Sequence, residues 1–307
     1  MSNSSPACWL LFVILVVIEV KSMRSIIIYL LSICSLLSTM AVEAMGEDAK
    51  QSKRDIRRVV TLTSLSSDLV VNLNKQVLVG IPGTSLTNND LRYVDIKRVS
   101  SGRNMPNIES IIALKPDFVI GADGFHSRIL LKLKKLGIQT LALKMDRLEA
   151  LYDADQILNR YLPSASKQDR KLKNICPTPT HSISHSPNNK NRVLILAGNS
   201  PMLSPTENSW AGSLLSHNSF TNATKHLSGK SPFNGYITMS NERLMSINAD
   251  KIIIIKPSDE SPSLRKSLHK YFPGIEKEDI IAMDYYGLIN PGSLDSIARA
   301  CTLLQKF

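Results

Sequence analysis

Asn107-Ile108-Glu109-Ser110-Ile111-Ile112-Ala113-Leu114-Lys115-Pro116-Asp117-Phe118-Val119-Ile120-Gly121 is the stretch that decides the reading of this chain. Asn107 is a residue type suited to a helix N-cap, and Glu109 stands where a carboxylate complements the first turn. Ile108, Ile111 and Ile112 follow at helical spacing, and Pro116-Asp117 leads directly into the apolar run Phe118-Val119-Ile120. The unit is helix, turn, strand. It returns 133 residues later as Ser240-Asn241-Glu242-Arg243-Leu244-Met245-Ser246-Ile247-Asn248-Ala249-Asp250-Lys251-Ile252-Ile253, with the polar cap, the Glu and the Asp at the same places. A unit used twice in this way is the mark of a duplicated architecture.

Outward from these units, short Val- and Ile-rich runs alternate with longer amphipathic ones. Strands are expected at Arg58–Leu62, Gln76–Ile81, Asp117–Gly121, Ile138–Leu143, Arg192–Ala197, Lys251–Ile255 and Asp279–Met283. Helices are expected at Ser66–Asn74, Asn107–Leu114, Phe125–Leu136, Arg147–Tyr161, Trp210–Ser216, Asn241–Ile247, Pro262–Tyr271 and Gly292–Leu304. Near-continuous apolar runs such as Val193-Leu194-Ile195-Leu196 fit strands covered on both faces, as in parallel sheets. The alternation therefore indicates an α/β fold with two Rossmann-like lobes, residues 45–162 and 192–307. Residues 163–191 break the pattern: Pro177, Pro179 and Pro187 lie in or beside a Ser-, His- and Asn-rich stretch that reads as a connector.

The first 44 residues stand apart. Two apolar runs, Ala7–Val20 and Ile26–Val42, are separated by Lys21, Met23 and Arg24. A basic flank, an apolar run and the small-residue pattern Val42-Glu43-Ala44 make a secretory signal, with Ala44 as the last residue removed and Met23 as an alternative start. A retained anchor is the competing reading. Cys34 in Leu31-Ser32-Ile33-Cys34 suggests a lipobox, but Ile33 is too bulky for that position. Removal of residues 1–44 leaves Cys176 and Cys301, which could pair in an oxidising compartment if their geometry permits.

Composition narrows the function classes. With 43% hydrophobic and 21% charged residues the chain is neither disordered nor collagen-like. Four cysteines are too few for a disulfide scaffold. The sequence lacks a Gly-x-x-x-x-Gly-Lys-Ser/Thr loop and a Gly-x-Ser-x-Gly elbow, and Gly121-Ala122-Asp123-Gly124 lacks the third glycine of a dinucleotide fingerprint. His181 and His185 are spaced for one metal on a helix, but the nearby prolines oppose a helix there. The net charge of +11 is densest at Lys132, Lys134 and Lys135 and at Arg170, Lys171 and Lys173. Neither patch interleaves aromatics, so nucleic acid is not expected as a partner, and the charge suits an anionic ligand or membrane surface.

The segment from Asn107 to Gly121 resembles the most recognisable stretch of the class III periplasmic substrate-binding proteins of ABC importers, which carry cobalamin, ferric siderophores and haem. Arg58-Val59-Val60-Thr61-Leu62-Thr63-Ser64 resembles the family's first strand and turn, Lys135-Leu136-Gly137-Ile138 its next helix-to-strand join, and Ser240–Ile254 the matching unit of its second lobe. The likeness covers residues 56–307. It implies two lobes joined by a connecting helix, with a ligand cleft between them. It also implies a monomeric periplasmic carrier rather than an enzyme, with no cofactor and no resident metal. Its partners would be a small-molecule metal chelate and an ABC permease in the inner membrane. An exported bilobal α/β enzyme without a transport role is the alternative.

Ligands of open α/β sheets bind beyond the carboxyl ends of the strands. The loops so placed are Thr63–Ser67, Pro82–Thr84, Ala122–His126, Asn199–Trp210 and Asp284–Leu288, and they present Phe125, His126, Trp210, Tyr285 and Tyr286 as candidate ligand contacts. The resemblance further implies that Glu109 and Glu242 dock against permease arginines. Two departures stand out. Asp68 occupies a first-helix position where the family usually has Glu. Pro177 and Pro179 fall in the later turns of the connecting helix, so that helix should end near Asn174 or kink.

Overall fold

The computed structural model of the chain describes residues 56–101, 104–162, 171–179, 191–198, 201–229, 231, 233–255, 268 and 271–307. In the N-terminal lobe β1 (Val59–Thr61), β2 (Leu78–Pro82), β3 (Lys97–Ser100), β4 (Phe118–Ala122) and β5 (Gln139–Leu143) form one sheet in the order β3-β2-β1-β4-β5, parallel throughout. Between them run α1 (Ser64–Asn74), α2 (Ser85–Asn88), α3 (Ile108–Ala113) and α4 (Ser127–Lys135), and α5 (Leu148–Tyr161) follows β5. Alternate strand residues serve opposite faces. Val60 and Val119 pack with Ile111, Ile129, Leu130 and Leu133 of α3 and α4. Val59, Phe118 and Ile120 pack with Leu69, Leu73, Leu151 and Leu158 of α1 and α5. Chain order reverses direction between β1 and β4, which opens a crevice at their carboxyl ends.

The C-terminal lobe comprises β6 (Arg192–Leu196), β7 (Leu203–Pro205), α6 (Trp210–His217), β8 (Thr221–Asn222), β9 (Tyr236–Thr238), α7 (Asn241–Ser246), β10 (Lys251–Ile255), β11 (Ile280–Met283) and α8 (Leu294–Lys306). Its parallel sheet has the order β11-β10-β6-β8, and β7 pairs antiparallel with β9 outside it. Here too the central strands are apolar on both faces. Val193, Ile195, Ile253 and Ile255 face one core, and Leu194, Leu196, Ile252 and Ile254 face another.

The duplicated unit has a structural reason. Asp117 accepts hydrogen bonds from the backbone N–H of Arg57 (2.9 Å) and Arg58 (3.0 Å), at the entry to β1. Asp250 accepts from the backbone N–H of Arg192 (2.9 Å) and pairs with its guanidinium (2.9 Å), at the entry to β6. In each lobe the Asp that ends the helix–turn thus fastens the central strand beside it. The paired helices match as well: Asn107 caps α3 and Ser240 caps α7, each with Glu in the first turn.

The lobes share a core. One buried cluster runs from Leu69 and Leu151 through Trp210 and Leu214 to Ile297 and Leu304. Polar ties cross the same boundary. Asp68, buried on α1, accepts from the N–H of Leu294 at the start of α8 (2.8 Å), from Arg92 Nη2 (2.9 Å) and from the Tyr93 hydroxyl. Burial pushes the Asp68 carboxyl up from its ordinary range, against the pull of these donors. The N–H of Leu148 donates to Ser213 Oγ (3.0 Å). Cys176, after the 3₁₀ turn Lys171–Asn174, forms a disulfide with Cys301 of α8, Cα to Cα 5.4 Å.

The expected strands and helices are present within a few residues, except Pro262–Tyr271, which lies mostly outside the described residues. Sequence reading missed β3, β7, β8 and β9. β3 is an edge strand with Lys97 exposed, and the others are only two or three residues long. Residues 1–55, with the signal, Met23 and Cys34, lie outside the described residues, as do His181, His185 and most of the connector. Among the described residues no helix is long and apolar enough to cross a membrane.

Candidate ligand-binding site

A cavity of about 660 Å³ lies at the carboxyl ends of the N-terminal strands. Leu62–Ser66 after β1, Pro82 and Thr84 at the end of β2, Gly121, Ala122 and Asp123 with Phe125 and His126 at the end of β4, and Leu143–Asp146 at the end of β5 form one wall. Phe233, Tyr285, Tyr286 and Asn290–Gly292 of the C-terminal lobe face them. The volume is that of an ordinary small-molecule site, and the lining mixes aromatic surface with a few polar groups, as such sites do.

Helix capping builds the first wall. Thr63 and Ser66 form a reciprocal capping box at the start of α1, and Thr84 and Thr87 form another at α2. Ser64 Oγ and Thr84 Oγ1 then bond across at 2.7 Å, which ties the two helix starts together. The N-termini of α1 and α4 both open on the cavity, so their dipoles favour negative charge there. At the rim Lys144 pairs with Asp146 at 2.6 Å and holds that carboxyl below its usual range.

His126 is 4% exposed. Its Nδ1 accepts the Ala122 N–H at 3.0 Å, and burial lowers its pKa to about 4. The ring meets Phe125 edge-on, with centroids 4.8 Å apart. Gly121 makes room for it, because a Cβ there would lie 2.9 Å from the His126 Cβ. Phe125 itself is 67% exposed and stands at the mouth.

On the facing wall Tyr285 and Tyr286 meet edge-to-face at 5.4 Å, both partly exposed toward the cavity. Burial and the adjacent Tyr286 raise the Tyr285 phenol above its ordinary range, so it is a neutral hydrogen-bonding group. The turn that carries them needs glycine: Gly287 has φ +96°, and a Cβ there would lie 2.2 Å from the Ser296 carbonyl oxygen.

Four of the five aromatic and histidine candidates, Phe125, His126, Tyr285 and Tyr286, therefore come together at one cavity. Trp210 does not line it. It is 3% exposed in the shared core, and its Nε1 donates to the Gly287 carbonyl at 2.8 Å, so it supports the tyrosine turn from behind. No described residue of 201–210 reaches the cavity. Sequence reading missed Phe233 and Asn290–Gly292, which follow no clear strand end, and Met145, which follows the expected strand Ile138–Leu143 but was not in a loop singled out for ligand contact. Glu109 and Glu242 are both exposed and neither lines the cavity, and the Ser240 hydroxyl holds the Glu242 carboxyl low. Among the described residues no group of three or more His, Cys, Asp or Glu side chains could hold a metal ion.

A sequence profile of the family described as periplasmic binding protein matches residues 59–267. The chain belongs to the periplasmic binding protein family. This periplasmic binding protein has the two-lobed class III fold, and the proteins it resembles are substrate-binding transport proteins, not enzymes. Its fold is similar to that of an ABC transporter substrate-binding protein from Listeria monocytogenes EGD-e, with 20% identity and a TM-score of 0.64 over 82% of this chain and 98% of that one. It is similar to the siderophore-binding protein BauB, solved with two molecules of acinetobactin and ferric iron, at 18% identity and TM-score 0.63 over 82% and 92%. It is also similar to the periplasmic vitamin B12-binding protein BtuF of Vibrio cholerae, at 16% identity and TM-score 0.60 over 82% and 97%. Among curated proteins no sequence matches this chain.

Proposed function

We propose that this periplasmic binding protein captures a metal chelate, of the class of ferric siderophores, haem or cobalamin, and delivers it to the permease of an ABC importer. The observation that carries the reading is the cavity of about 660 Å³ between the two lobes, edged by Phe125, Phe233, Tyr285 and Tyr286. Aromatic faces suit a large, flat or greasy chelate, and the helix N-termini suit its negative charge. The vitamin B12 of BtuF and the ferric acinetobactin of BauB are ligands of this kind. The Cys176–Cys301 disulfide supports an oxidising, extracytoplasmic location, as the signal-like residues 1–44 do.

Glu109 and Glu242 support the delivery step. They occupy equivalent first-turn positions, one per lobe, and both are exposed. Two separated carboxylates give a two-point dock whose benefit is orientation, since each exposed ion pair contributes only ~0–1 kcal/mol.

Titration of the purified protein with ferric siderophores, haem and cyanocobalamin tests the capture role. In protein processed after Ala44, Trp210 is the sole tryptophan, and its bond to Gly287 couples it to the tyrosine wall. Saturable quenching by one chelate class is expected, and no saturable response to any of them removes the reading. The Glu109→Ala, Glu242→Ala double variant should bind the same chelate with unchanged affinity and import it poorly in whole cells. Normal import would remove the docking role and leave capture standing.

A further inference from the structure

We propose that His126 is a specificity-determining hydrogen-bond donor, locked in its Nε2–H form, that reads an acceptor atom of the cargo and does not ligate its metal. The inference rests on the capture role above and names how the same cavity recognises its ligand.

An amide N–H can only donate, so the 3.0 Å bond from Ala122 to Nδ1 requires an unprotonated Nδ1. A neutral imidazole with a bare Nδ1 carries its proton on Nε2. The backbone therefore chooses the tautomer. The choice is held firmly, because His126 is buried and Gly121 and Phe125 fix its position. A second protonation would put a proton on Nδ1 facing the Ala122 N–H, which is consistent with the lowered pKa.

Nε2 has no hydrogen-bond partner among the described residues, and it is not among their fully enclosed, unsatisfied side-chain atoms. The open space that His126 lines is the cavity. Metal ligation by Nε2 needs a lone pair that this tautomer does not have. A donor N–H is complementary to a chelate's carboxylate, catecholate or hydroxamate oxygen, or to an amide carbonyl. The recognised species is thus a chelate whose metal is already satisfied by its own ligand atoms at this wall.

Two variants separate the two nitrogens. In His126→Asn the Oδ1 atom is as many bonds from Cβ as Nδ1, so it can still accept from Ala122, but the donor is gone. In His126→Gln the Nε2 amide is as many bonds from Cβ as the imidazole Nε2, so the donor is kept. Calorimetric titration of the purified protein uses ferric tris-catecholate, ferric tris-hydroxamate, haem and cyanocobalamin as probes. For whichever probe the unaltered protein binds, the Asn variant should weaken binding about 10- to 100-fold and the Gln variant by less than about fivefold. The metal-centred absorption band of the bound probe should stay where it is in free solution.

Equal affinity in His126→Asn overturns the proposal, as does equal loss in both variants at unchanged thermal midpoint. A metal-centred band that shifts on binding to the unaltered protein and not to His126→Asn also overturns it, in favour of ligation. If the unaltered protein binds none of the probes, the capture role itself falls and this inference falls with it. Binding that survives in both variants removes this inference alone.

Discussion

At the scale of single residues, His126 makes a pH prediction. Its folded pKa of about 4 lies below the unfolded 6.5, so between those values the unfolded chain binds more protons. Stability contributed by the neutral, buried ring is full above pH 6.5 and is lost as pH falls toward 4. The loss by pH 4.5 is about 2 kcal/mol. His126→Asn has no imidazole to titrate, so urea unfolding at pH 7 and pH 4.5 should show a smaller drop for the variant than for the unaltered protein. An equal drop would mean that the ring is accessible to protons in the folded state. His126 also shows what residue-level reading can and cannot reach. That it stands in a loop after β4, at a cavity, was legible from the strand preceding it. Which nitrogen carries the proton was not, because that depends on one backbone N–H brought to 3.0 Å by the turn Ala122–His126. Trp210 was read as a ligand contact because it sits at a helix start after a strand. Its side chain instead enters the core between α6 and the Tyr285–Leu288 turn, a direction that helical spacing alone does not reveal.

At the scale of elements, the duplicated helix–turn–strand unit was the most legible part of the chain, since cap, first-turn Glu and strand-leading Asp are all local signals. What the Asp does was not legible, because its partners Arg57 and Arg58 lie 60 and 59 residues away in the first lobe. In the second lobe Arg192 lies 58 residues from Asp250. The fastening role predicts a cost in each lobe. Asp117→Ala removes the acceptor for the β1 entry, and Asp250→Ala does so for the β6 entry. Each should destabilise the chain by about 1–3 kcal/mol in urea unfolding, with the larger effect at Asp250, which also pairs with the Arg192 guanidinium. Neither residue lines the cavity, so chelate affinity should be unchanged in both variants. A change within about 0.5 kcal/mol would place both carboxylates among ordinary surface groups. The strands that escaped notice, β3, β8 and the β7–β9 pair, did so for a physical reason: a four-residue edge strand with one buried apolar residue and strands of two or three residues carry too little apolar pattern to be seen.

At the scale of the whole molecule, the question is what fixes one lobe against the other, since the cavity exists only while Phe125 and His126 stay opposite Tyr285 and Tyr286. Three kinds of tie cross the boundary. The shared apolar core includes Leu69, Leu151, Leu214 and Ile297, all with no exposed surface. Asp68 caps α8 from α1, and Leu148 bonds Ser213. The disulfide joins Cys176, after the N-terminal lobe, to Cys301 in α8 across 125 residues of sequence. These ties do different work. A cross-link over a loop of that length acts mainly on the unfolded chain, and its loss typically costs ~2–5 kcal/mol. The core and the polar caps act on the folded geometry, and they remain when the sulfurs are separated. The Cys176→Ser, Cys301→Ser double variant should therefore unfold at lower urea concentration, by about 2–5 kcal/mol, and bind its chelate with affinity within about threefold of the disulfide form. Neither cysteine lines the cavity, which is why the two readouts should part. If affinity instead falls in step with stability, the lobes are held in register by the disulfide, and the buried cluster between α1, α5, α6 and α8 is too weak to position the cavity walls by itself.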